Sequence, residues 1–129
     1  MPRCNNEEHR IQCGIIEWYD LRYGDGMLFA IPNGGARDAR TGAMLKKEGV
    51  RAGVLDLFLA KPDLIGPVLF HGLFIEVKVP GRRNRIAGGL TAEQARFRTK
   101  AMAEGYPCEV VYTTQEGIDV ISRYLAGNS

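Results

Sequence analysis

The chain has 129 residues, 45% of them hydrophobic and 25% charged, with 17 Lys and Arg against 15 Asp and Glu for a formal charge of +2. These fractions are those of a globular protein, and they exclude a collagen-like repeat, a low-complexity chain and long disordered tails. No run approaches the ~18–20 consecutive apolar residues of a membrane span, and residues 1–8 lack the apolar core of a secretory signal. The expectation is one soluble, cytoplasmic domain over residues 1–129 that does not engage a membrane.

Residues 6–22 repeat Glu8, Ile11, Gln12, Ile15, Trp18, Tyr19 and Arg22 at three- and four-residue steps, the interval of one helix face. Asn5 or Asn6 can cap the start, Glu7 and Glu8 suit the positive end of the helix dipole, and Gly24-Asp25-Gly26 ends it. Glu8 and Gln12 open the inward stripe with polar groups, so the first turn either protrudes past the core or serves a site. Residues 27–31 form a short apolar strand closed by Pro32-Asn33-Gly34-Gly35. Residues 41–48 predict a short helix stopped by Gly49. Strands follow at 54–59 and 73–79, and 81–89 is a basic loop flanked by glycines.

Thr91-Ala92-Glu93-Gln94 is a capping box for a helix running to Glu104, with Gly105 as its stop. A strand at 108–112 and an amphipathic helix from Thr114 through Ile118, Ile121 and Leu125 complete the order. The fold class is α/β, with a central mixed sheet of about four strands flanked by helices. Cys4, Cys13 and Cys108 are odd in number and without Cys-x-x-Cys spacing, so they read as free thiols rather than a disulfide framework or a zinc site.

Asp56 and Glu76 stand in otherwise apolar strands, and Lys78 follows Glu76 by two. Alternate residues share a face of a strand, so Glu76 and Lys78 point the same way while Val77 points into the opposite layer. Buried charges are costly unless paired or bound to a metal. The pattern alone leaves two readings open: a structural ion pair with Asp56 at a turn, or a site that holds a cation.

Gly53-Val54-Leu55-Asp56 followed by Phe74-Ile75-Glu76-Val77-Lys78 resembles the split motif of the PD-(D/E)xK nuclease superfamily. Several further features are similar in order and spacing to the VRR-NUC family. They are Glu8 with Gln12, Ile31 to Gly35 with Arg37, Leu45-Lys46 before Glu48-Gly49-Val50, Leu90 to Gln94 with Phe97, Gly105-Tyr106, and the final helix. Leu55 stands where the superfamily name has proline, a difference of backbone rather than of chemistry.

The resemblance implies a restriction-endonuclease-like core and a DNA endonuclease dependent on Mg²⁺, with Mn²⁺ as substitute. A divalent ion held by carboxylates supplies hydroxide at neutral pH and stabilises charge on phosphorus. Asp56 and Glu76 would be its carboxylates and the Val77 carbonyl a third oxygen. Lys78 would meet the attacking water or a phosphate oxygen. Glu8 would complete the metal shell or orient Lys78, and Gln94 would either position Lys78 or the nucleophile or serve only the capping box.

Asn33, Gly34 and Arg37, with Lys46 and Arg51, are expected to hold the DNA backbone, joined by Arg82, Arg83 and Arg85 at the rim of the cleft. No recognition helix offers paired Arg and Asn to base edges, which favours reading by shape. A symmetric dimer carrying two sites would match a four-way junction, so a homodimeric resolvase of Holliday junctions is the expected substrate reading. A flap or single-strand nuclease, or a catalytically silent binding module, are the alternatives. Trp18, Tyr19, Tyr23 and Phe70 are either that partner surface or core.

Overall fold

Four short strands follow one another across a single mixed sheet in the computed structural model, which describes residues 6–32, 39–63 and 69–126. The elements are α1 (Glu7–Arg22), β1 (Leu28–Ala30), α2 (Ala39–Lys47), β2 (Leu57–Leu59), β3 (Leu73–Val77), α3 (Ala92–Ala103), β4 (Cys108–Val111) and α4 (Thr114–Ala126). Two 3₁₀ turns, Pro80–Arg82 and Ile86–Gly89, lie between β3 and α3. β1, β2 and β3 pair antiparallel, with Leu28 opposite Leu59 and Leu57 opposite Ile75. β4 joins β3 in parallel, Phe74 opposite Cys108, as the intervening helical crossover allows.

The pleat divides the side chains between two layers. Leu57, Leu59, Leu73, Ile75 and Val77 face α1 and α4, where Ile11, Ile15, Tyr19, Ile121 and Tyr124 complete the main core. The two helices cross closely because glycine stands at the crossing: a Cβ on Gly117 would lie 2.4 Å from Ile15 Cδ1. On the other face Phe74, Phe97 and Tyr106 pack around Leu55, Ala101 and Cys108 under α3. Glu76 and Lys78 share the parity of Phe74 and therefore look toward α3.

Strands end earlier than the apolar runs suggest. Asp56 lies one residue before β2 and Lys78 one residue after β3. The reason is a change of partner: the Asp56 N–H donates to Glu76 Oε1, and the Val77 N–H to Asp56 Oδ2, so side chains replace the backbone ladder there. α2 begins two residues before its expected start. Asn6 caps α1 by accepting from the N–H groups of Glu8 and His9.

The aromatic residues weighed as a partner surface belong to the core. Tyr19 is fully buried, and Trp18, Tyr23 and Phe70 pack against the same cluster. Tyr19 donates its hydroxyl to Asp25, whose carboxyl is held down at about 2 by Lys61, 2.6 Å away, and by the Met27 N–H. Cys13 and Cys108 are free thiols. No helix among the described residues is long and apolar enough to cross a membrane.

Candidate active site

Glu76, 3% exposed, is the centre of the charged group. Its Oε1 accepts from the Asp56 N–H at 3.1 Å. Its Oε2 accepts from Gln94 Nε2 at 2.8 Å and faces Lys78 Nζ at 3.2 Å. Asp56 Oδ2 takes the Val77 N–H at 3.0 Å. Four residues from three separate segments thus meet at the end of β3, and each arrives for a local reason. Asp56 is delivered by the loop after α2, Glu76 and Lys78 by the pleat of β3, and Gln94 by the first turn of α3.

Gln94 closes the capping box, and its other side-chain partner is Glu76 rather than Lys78. Its amide oxygen accepts from the Thr91 N–H at 2.9 Å to close the capping box, while its amide nitrogen holds Glu76. The loop before Asp56 reaches the site only because residue 53 is glycine. Its φ is +92°, and a Cβ there would come within 2.5 Å of the Glu93 carbonyl oxygen. Gly53 therefore lets the chain leading to Asp56 lie directly on the start of α3.

Crowding two acids in a buried place raises both. Burial pushes the Glu76 carboxyl up to about 7, the Asp56 charge adds to the push, and Lys78 opposes it. Burial also raises Asp56, the Val77 N–H opposes that, and the Glu8 charge adds to the rise. Glu8 therefore stands near enough to act on Asp56, which puts the first turn of α1 at this end of the sheet. Among the described residues Lys78 is the cation paired with this group of acids.

The donors fit a hard divalent cation. Mg²⁺ favours oxygen and commonly takes one or two protein carboxylates, with waters filling the remainder. Among the described residues no group of three or more His, Cys, Asp or Glu gathers as a metal cluster, and the carboxylates that meet directly are two, Asp56 and Glu76. The Val77 N–H points to Asp56, and on an extended strand the carbonyl of the same residue faces the same edge.

The expected DNA contacts divide. Asn33, Gly34 and Arg37 lie outside the described residues. Lys46 and Arg51 are exposed, Lys46 in the last turn of α2. Arg82 and Arg85 are exposed, whereas Arg83 is engaged: it pairs with Glu116, and its guanidinium lies 4.4 Å from the centre of the Tyr112 ring. Gly88 and Gly89 of this loop allow close packing, since Cβ atoms there would meet the Tyr112 hydroxyl at 2.4 Å and Arg82 Cβ at 2.8 Å.

Two residues not singled out from sequence join Arg51. Arg96 and Lys100 line a cavity of about 420 Å³ with Arg51, Phe97 and Glu93. Their signal was present, since positions 93, 96, 97 and 100 follow the i, i+3, i+4, i+7 interval of a single helix face.

No family model and no curated protein matches the chain. Among solved structures, one described as a VRR_NUC domain protein is similar with a TM-score of 0.70 at 25% identity, over 92% of this chain and 88% of that one. The mixed four-stranded sheet flanked by helices is the restriction-endonuclease-like α/β core.

Proposed function

We propose that the protein is a VRR-NUC-type endonuclease that hydrolyses DNA phosphodiester bonds with Mg²⁺ or Mn²⁺, selecting its substrate by shape. The single observation that carries this reading is the convergence of Asp56, Lys78 and Gln94 on Glu76. Asp56, Glu76 and the Val77 carbonyl would hold the ion, with Glu8 joining directly or through water. When bound, it supplies a hydroxide at neutral pH and stabilises the charge that builds on the phosphate.

The remaining steps fall to the chain itself. Lys78 has its ammonium fixed by Glu76 and offers its other protons to the attacking water or to a phosphate oxygen. Gln94 keeps the Glu76 carboxylate from rotating away from Asp56. Arg51, Arg96 and Lys100 form a basic wall that follows a DNA strand leading from the site, and Phe97 gives that wall an apolar floor.

The substrate we favour is branched DNA, with paired nicks made by a homodimer on a four-way junction. Support for the partner surface comes from apolar side chains left outside the core: Leu21 is 89% exposed, and Met27 and Phe29 are exposed at the outer edge of the sheet. Cleavage of linear duplex, flap, splayed-arm and four-way-junction DNA, compared in Mg²⁺, Mn²⁺ and EDTA, tests the reading. Metal-dependent cutting fastest on the junction supports it; no cutting of any form ends it. Light scattering with and without junction DNA tests the dimer, and a monomer under both conditions removes the paired nicks.

A further inference from the structure

The chain between Lys78 and Gln94 stands with both ends on one atom, because Lys78 Nζ and Gln94 Nε2 both meet Glu76 Oε2. At its tip is Ile86, 93% exposed, more than any other large apolar side chain among the described residues. A lone exposed isoleucine needs no explanation in general. This one is held in place. Arg83 ties the segment to Glu116 and covers the Tyr112 ring. The Tyr112 hydroxyl donates to the Gly88 carbonyl at 2.7 Å, and the Gly88 N–H to the Arg85 carbonyl at 2.9 Å. Ala87, the residue after Ile86, has φ +53° and ψ +29°, the left-handed region that residues with a side chain seldom adopt. A strained alanine and a braced turn keep an isoleucine in water, where it gains no burial of its own.

We propose that Ile86 is an apolar wedge that enters between stacked bases and holds a distorted or branched DNA step open beside the Asp56–Glu76 site. The neighbours select a polyanion as the occupant. Arg82 and Arg85 flank the tip, both exposed, and an apolar protein surface seated on Ile86 would have to bury them. Architectural DNA-binding proteins insert isoleucine, leucine or phenylalanine in this way, with basic side chains on the adjoining phosphates. The inference rests on the nuclease reading and deepens it: the DNA shape selected is a step that already unstacks readily, as at a branch point.

The test uses the full chain with Ca²⁺ in place of Mg²⁺, on duplex and four-way-junction oligonucleotides carrying 2-aminopurine, with binding followed separately by anisotropy. Wild-type protein is expected to raise the fluorescence on binding. Ile86→Ala should bind within about twofold of wild type but lose that rise, and Ile86→Phe should restore it. In Mg²⁺, Ile86→Ala should cut fully paired substrate roughly tenfold more slowly and cut a substrate with unpaired nucleotides at the wild-type rate, since the unstacking is already done. DNA that binds wild type without a fluorescence rise overturns the wedge and leaves the nuclease standing. So does Ile86→Asp if it changes the oligomeric state while base unstacking survives, which assigns the tip to a protein interface. Absence of binding to any DNA overturns both readings.

Discussion

Asp56 and Glu76 clasp each other at the end of the sheet. The Asp56 N–H donates to the Glu76 carboxylate at 3.1 Å, and the Asp56 carboxylate accepts from the N–H of the residue after Glu76 at 3.0 Å. Each acid is thereby oriented by the other's strand while both are raised by burial. That is a costly arrangement for stability alone and a useful one for holding a cation.

Asp56→Asn separates those two roles. Asparagine can still accept from the Val77 N–H, and it removes a charge that repels Glu76 and Glu8. Cleavage should fall by roughly a hundredfold or more, while the metal-free protein gains about 1 kcal/mol. Thermal unfolding in EDTA beside a gel cleavage assay reads both. A variant that is inactive and also less stable argues for a structural ion pair instead.

Glu76 sets a pH dependence whose sign follows from its raised carboxyl. Unfolded, it releases its proton near 4.5; folded and metal-free, it holds the proton to about 7. Across that window the native state binds more protons, so this residue's contribution to stability falls as pH rises, and Asp56 acts in the same direction. A divalent ion must displace the proton, so the gain in melting temperature from Mg²⁺ or Ca²⁺ should grow between about pH 5.5 and 8. Glu76→Gln should lose that part of the slope in EDTA; an unchanged slope rejects the assignment.

Thr91→Ala and Gln94→Ala distinguish capping from positioning. The first removes one cap hydrogen bond and should cost about 1 kcal/mol with cleavage near wild type at low temperature. The second also frees Glu76 Oε2 and should lower cleavage roughly 10- to 100-fold. Equal losses of activity in the two variants, measured well below their melting temperatures, would reduce Gln94 to a cap.

The arginines of the 3₁₀ turns should behave differently from one another. Arg85→Ala should weaken DNA binding and reduce the salt slope by about one counterion, leaving the melting temperature alone. Arg83→Ala should lower the melting temperature instead, because it releases Glu116 and uncovers Tyr112. Fluorescence anisotropy from low to moderate salt, with a melt of each variant, reads the difference, and matching salt slopes would put both side chains on the DNA.

Helices were legible in the sequence because their signals are local. Asn6, Thr91 and Gln94 announce helix starts by short-range hydrogen bonds, and the Ile11, Ile15, Tyr19 spacing names the buried face of α1. The acids stood out too, since Asp56 and Glu76 interrupt apolar runs, though the pattern alone did not separate an ion pair from a cation site. Strand ends were not legible: the apolar pattern continues past the point where the Asp56 and Glu76 side chains take over the backbone partners.

The sequence by itself determined the alternation that puts Glu76 and Lys78 on one face of β3, and the cap that fixes the start of α3. Only the tertiary structure decided that this face looks toward α3, so that Gln94 completes the group, and that Arg83 is spent on Glu116 while Ile86 stays in water. The physical reason is range. Periodicity and capping act within a few residues, whereas the pairing of β3 with a parallel β4 across the α3 crossover is a contact between distant segments, fixed by how the two faces of the sheet are covered.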